Sequence, residues 1–144
     1  MSEFQPVSYA EGVTPPSAAH VTLSDFPFEG TLTRLRAAIQ AEDLWLIHEI
    51  DPQMIVKRGG YDIGPARQLL FFHPRYMVRL LQGNPHALVE VPLKFAILEL
   101  PGGGVSVGHP KVETLAAYPG LEVLAAELEA LYFRLEACLR ASTS

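Results

Sequence analysis

An apolar stripe near the end of the chain constrains its fold more than any other feature. Successive members of the stripe are separated by 3, 4, 3, 4 and 3 residues: Leu121, Leu124, Leu128, Leu131, Leu135 and Cys138. This spacing is typical of one face of an α-helix and predicts a long helix over residues 121–140. The stripe must be covered by the chain's own sheet, by a second chain, or by both. The second alternative predicts a homodimer with these interface candidates: Leu124, Leu128, Leu131 and Leu135.

The preceding residues alternate short apolar runs with helical patterns. Strands are predicted over residues 20–23, 44–50 and 67–72, and an apolar stretch from Val89 to Leu98 is followed by a glycine-rich turn and a last strand at Val105. Helices are predicted to begin at Thr31, to follow the cap Asp51-Pro52, and to cover residues 75–82. The order β-α-β-α-β-α-β-β-α predicts an α+β fold.

Length and composition predict one domain preceded by an arm. The chain has 144 residues, which fits a single ordinary domain, and its apolar fraction of 49% argues against disorder. Residues 1–20 are rich in Pro, Ser, Ala and Gly and are predicted to form an extended arm. The domain is predicted over residues 21–144.

Charge and cysteine usage exclude several classes of function. The net charge of −5 opposes nonspecific binding to nucleic acid or to an anionic membrane. The one cysteine excludes an intrachain disulfide and a cysteine-based zinc site within one chain. We see neither a secretory signal nor an apolar run of about 18 residues, so a cytoplasmic location is expected.

Two histidines are candidate ligands. His73 and His109 each precede a proline at the end of a predicted strand. Ligands gather at strand ends, so the two imidazoles are candidates for binding a transition metal or haem. The alternative is that each caps a strand or lies at the surface.

Three further side chains are candidate ligand-binding residues. Glu49 and Asp51 closely follow His48 and would face the same side of a strand, as a pair of carboxylates in an acid–base site would. Asp51 has a simpler alternative role as a helix cap. Arg75 lies in an arginine-rich segment that would suit an anion, although a solvated helix face is the simpler account.

The middle of the chain resembles a known family. The segments LWLIHEIDPQMIVKRGG and RQLLFFHPRYMVRLLQGNPHALVEVPLKFAILELPGGGVSVGHP resemble the domain of unknown function 302 family (DUF302) over roughly residues 22–120. The resemblance implies a two-layer α/β sandwich, with a mainly antiparallel sheet and helices on one face, and helix-mediated homodimers. It implies no activity. This chain departs from the family pattern by placing His73 and His109 at strand ends.

Three functions follow as hypotheses. The first is a noncatalytic homodimeric binding protein for a small ligand, a metal or haem. The second is a small enzyme that uses Glu49, Asp51 and a histidine. The third is an adaptor that binds another protein through the helix over residues 121–140.

Overall fold

A computed structural model describes residues 3–142. Residues 1–2 of the predicted arm and residues 143–144 of the predicted domain lie outside this range. The strands of the fold are β1 (Gln5–Pro6), β2 (Ala19–Ser24), β3 (Trp45–Ile50), β4 (Tyr61–Asp62), β5 (Ala66–Phe72), β6 (Leu93–Glu99) and β7 (Val105–Pro110). The α-helices are α1 (Phe28–Ala41), α2 (Pro52–Arg58), α3 (Pro74–Gly83), α4 (Glu113–Ala116) and α5 (Glu122–Glu136).

Five of the strands form one antiparallel sheet in the order β2-β7-β6-β5-β3. Strands β6 and β7 form the hairpin that the glycine-rich turn predicts. Strand β2, the first of the five in the chain, pairs with β7, the last, and this register places His20 opposite His109. Side chains directly opposite in neighbouring strands project from the same face of the sheet, so the two imidazoles are neighbours.

One face of the sheet carries the core. Alternate residues of β6 and β7, such as Phe95, Ile97 and Val107, are almost completely buried. They pack in one apolar cluster with Leu35 of α1 and Leu128 of α5. The opposite face includes exposed side chains, so the fold has two layers. The predicted α+β class, with an antiparallel sheet and a long C-terminal helix, is confirmed.

The leucine stripe belongs to this core. Helix α5 continues as a 3₁₀-helix over Ala137–Leu139, close to the predicted extent. The four proposed interface leucines are at most 3% exposed: Leu124, Leu128, Leu131 and Leu135. They are therefore corrected from interface residues to core residues, because the other helices and the sheet of the same chain already cover them in one apolar cluster. A homodimer stays a prediction, but it would need other side chains.

One segment differs from the sequence-based expectations, and the arm has one feature that the sequence did not predict. Val89 lies in a 3₁₀-helix over Pro85–Glu90 rather than in a strand, because the Asn84 side chain caps this turn and a proline opens it. Strand β6 accordingly begins at Leu93. In the predicted arm, β1 pairs with β4 as a short parallel ladder.

Within residues 3–142, none of the helices has the length and apolarity needed to cross a membrane.

The burial of the stripe makes a stability prediction. Replacing Leu128, which is 0% exposed, with alanine should lower the free energy of unfolding by about 2–5 kcal/mol, because it leaves a cavity in the core. Val123 on the same helix is 71% exposed, and its alanine variant should change the same quantity by about 0.5 kcal/mol or less. Urea unfolding of both variants measures the difference. Equal losses of unfolding free energy in the Leu128 and Val123 variants would contradict the placement of the leucine stripe in the core.

Candidate metal centre

Three side chains from distant parts of the chain converge at one end of the sheet. His20 lies on β2, His109 lies opposite it on β7, and Glu136 is the last residue of α5. One ligand atom from each lies within 4.8 Å of the other two. The Nε2 atom of His109 is 2.7 Å from Oε1 of Glu136, and Nε2 of His20 is 3.4 Å from Oε2.

Backbone geometry fixes the tautomer of His109. Its Nδ1 atom lies 2.8 Å from the carbonyl oxygen of Pro110. A carbonyl oxygen only accepts hydrogen bonds, so Nδ1–H is the donor, and in the neutral imidazole the lone pair is on Nε2. That lone pair faces the Glu136 carboxylate, so a proton or a metal cation must lie between the two atoms. Metal-bound histidines show the same arrangement, in which the distal N–H donates to a carbonyl.

Tyr132 fixes the plane of the same imidazole. Its ring stacks on His109 with the centroids 3.7 Å apart and the planes 3° apart. The phenol hydroxyl donates to the carbonyl of Lys94 at 3.3 Å and accepts from the Lys94 N–H at 3.1 Å. Burial raises the pKa of Tyr132 well above its ordinary value, so the phenol remains neutral and keeps both contacts. The His109 ring is therefore held before any ligand arrives.

The three donors open onto a pocket of about 270 Å³. The side chain of His109 is only 8% exposed, whereas that of His20 is 47% exposed, so the site is buried on one side and open on the other. Two imidazoles and one carboxylate form a donor set found in catalytic zinc sites and in non-haem iron sites. The pocket is further lined by Lys111, Val112, Glu113, Glu129, Tyr132 and Phe133.

His73 lies apart from this cluster. Its Nδ1 atom caps α3 by accepting from the backbone N–H of Arg75 at 3.0 Å, and its ring contacts Trp45. In the described part of the chain, the cluster pairs His109 with His20 instead of the His73 partner expected from the sequence. The reason is that β7 adjoins β2, whereas β6 separates it from β5, the strand that leads to His73.

Arg75 also has a structural role. Its guanidinium donates to the backbone carbonyls of Glu42 and Asp43, just beyond the end of α1. It therefore ties α3 to the turn that follows α1, which accounts for its position without an anion.

The predicted pair of carboxylates forms an ion-pair network instead of an acid–base site. Arg36 donates two hydrogen bonds to Glu49, at 2.9 and 2.7 Å. Asp51 accepts from Arg67 at 2.9 Å and caps α2 through the N–H of Met54. His48 projects from the opposite face of the sheet, because it pairs with Leu70 whereas Glu49 pairs with Leu69. The geometry therefore gives no support to chemistry that joins these carboxylates to His48.

Sequence reasoning missed His20 and Glu136. His20 begins the first predicted strand, but nothing in the spacing says that this strand pairs with the last one. Glu136 occupies a polar position of the predicted helix, where an exposed glutamate is ordinary. The one available signal was that Glu136 follows Tyr132 by four residues, which places both side chains on the same helix face.

Comparison with known proteins gives the family. The model for the domain of unknown function DUF302 matches residues 19–141. The chain belongs to the DUF302 family. The match confirms the resemblance seen in the sequence and extends it beyond residues 22–120 to include His20 and Glu136. No curated protein matches this DUF302 chain.

A solved structure of a DUF302 protein shares the fold. The crystal structure of an uncharacterized conserved DUF302 protein from Bacillus stearothermophilus has a TM-score of 0.73 and 23% sequence identity. The aligned region covers 86% of this chain and 97% of that chain. At this identity the similarity establishes the common fold.

The ion pair of Glu49 makes a prediction about pH. The hydrogen bonds from Arg36 lower the pKa of the Glu49 carboxyl below its ordinary value of 4.5. The contribution of the ionised carboxylate to stability is therefore complete above the ordinary pKa and is lost as the pH falls through the lower folded-state pKa. Glu49→Gln should lower the free energy of unfolding at neutral pH by about 1 kcal/mol or less, because both partners are partly exposed to solvent.

Urea unfolding as a function of pH measures this effect. The difference between wild type and Glu49→Gln should shrink as the pH falls below the ordinary value of 4.5. A difference that stays constant over that range would contradict the ion-pair assignment.

Proposed function

We propose that this DUF302 protein binds one divalent transition metal ion through His20, His109 and Glu136, as a noncatalytic binding protein. The observation that carries the proposal is the convergence of three metal-ligating atoms around an imidazole whose tautomer and plane are already fixed. A preset donor lowers the entropic cost of binding, because the ion does not have to order it.

The distances between the three donor atoms are close to those that a small ion requires. Zinc–nitrogen and zinc–oxygen bonds are about 2.0–2.2 Å long, so two ligands on one ion lie no more than about 4.4 Å apart. The Nε2 atoms of His109 and His20 lie 2.7 and 3.4 Å from the two different oxygens of Glu136, and all three donors lie within 4.8 Å of one another, so a small rearrangement of these side chains would admit an ion. Imidazole donors favour zinc, copper, iron and nickel over calcium and magnesium.

The geometry supports an ion better than haem. A haem iron needs a free approach to an imidazole nitrogen along its lone pair. The carboxylate of Glu136 occupies that approach at His109, only 2.7 Å from Nε2. The pocket of about 270 Å³ also lies below the usual range for drug-sized ligands, which begins near 300 Å³.

Zinc titration tests the proposal. The wild-type protein should bind one zinc ion per chain by calorimetry, and zinc should raise the midpoint of thermal unfolding. At free zinc about a hundredfold above Kd, the stabilisation should approach 2.7 kcal/mol. His109→Ala should abolish this binding, because it removes the one donor that is fixed in advance.

Two control variants make the test specific. His86→Ala removes an exposed histidine outside the cluster, and His73→Ala removes the histidine that the sequence pairs with His109. Both should keep wild-type zinc affinity. Loss of zinc binding in His73→Ala, or a Soret band after haem addition that disappears in His109→Ala, would contradict the proposal.

A further inference from the structure

The pocket beside the three donors holds charges that the proposed ion does not use. Lys111 lies two residues after His109, Glu113 begins α4, and Glu129 lies two turns before Glu136 on α5. Among the described residues, none of these three side chains has an ion-pair partner, although all three line the same pocket. Lys111 is half-buried and the two glutamates are exposed, so all three charges are open to a ligand, and a ligand that itself carries both signs would complement them.

A bound ion would divide the pocket into a positive part and a negative part. A zinc ion held by three protein ligands would keep a fourth position for a further ligand, and all three proposed donors line the pocket. The ion and Lys111 would form the positive part of the pocket. Glu113 and Glu129, which do not bind the ion, would form its negative part. A lone anion would face two uncompensated carboxylates, and a lone cation would face the ion.

The rim of the pocket adds an apolar surface. Phe133, in the last turn of α5, is 79% exposed although it is aromatic, and Val112 lies on the wall of the pocket. Covering the Phe133 ring would remove apolar surface from water, which favours a ligand with an aliphatic or aromatic part. The volume of about 270 Å³ limits that part to a small group.

We propose that the pocket binds a free amino acid beside the metal ion. Its carboxylate lies between the ion and Lys111, its ammonium group faces Glu113 and Glu129, and its side chain lies against Phe133. The proposal rests on the proposed metal-binding function and names the ligand class of the same site.

Three probes separate the contributions of the two charges. L-Leucine carries both groups, isocaproate lacks the ammonium group, and isoamylamine lacks the carboxylate. Calorimetry on the zinc-loaded protein should give the tightest binding for leucine, with each of the other two probes weaker by about tenfold or more, because each lacks one charge-assisted contact. Elemental analysis after each titration should show that zinc is retained.

Variants locate the ligand. Lys111→Met and Glu129→Gln should each weaken leucine binding by about tenfold while leaving the zinc stoichiometry unchanged. Lys57→Met, on α2 and outside this pocket, is the matched control and should bind leucine as the wild type does.

The possible failures are distinguishable. Zinc binding with leucine no tighter than isocaproate or isoamylamine would overturn the amino-acid proposal alone. The same holds if Lys111→Met or Glu129→Gln leaves leucine affinity unchanged. A wild-type protein that binds no zinc would overturn both proposals.

Discussion

Helix α5 packs on one face of the five-stranded sheet, and both the core and the candidate centre depend on this contact. Leu128 and Leu131 are fully buried against the sheet. The adjacent Tyr132 packs edge-on against Phe95 and stacks on His109, so the rotation of the helix is fixed by ring contacts as well as by leucines. With that rotation fixed, Glu136 lies one turn further along the same face and reaches His109. A change in helix rotation would therefore disturb the core and the centre together.

The second constraint is the pairing of the first and last strands of the sheet. The register of β2 against β7 places His20 directly opposite His109. This pairing links residues almost ninety positions apart in the sequence, so no local pattern determines it. The three donors therefore come from three separate elements: one lies on an edge strand, one on its neighbour and one at the end of the packed helix. A bound ion would cross-link these elements.

The sequence predicted the local structure well and the site only in part. Helix α5, the capped start of α2 at Asp51 and the β6–β7 hairpin follow from periodicity, capping and turn chemistry, all of which act over a few residues. His109 was recognised as a candidate because it lies at a strand end. Its partners were not recognised, because strand order and helix rotation are set by tertiary packing that no local pattern encodes. The same limit explains why the four leucines of α5 were predicted as a dimer interface, since a helix stripe that faces the core and one that faces a second chain have the same spacing.

The central claim is that one metal ion lies among His20, His109 and Glu136. Crystals of the zinc-loaded protein, measured at the zinc absorption edge, test it most directly. The account predicts one anomalous peak per chain, about 2.0–2.2 Å from Nε2 of His109 and from a Glu136 oxygen, with His20 as the third ligand. An anomalous peak located elsewhere on the chain, or no peak in zinc-soaked crystals, would contradict it.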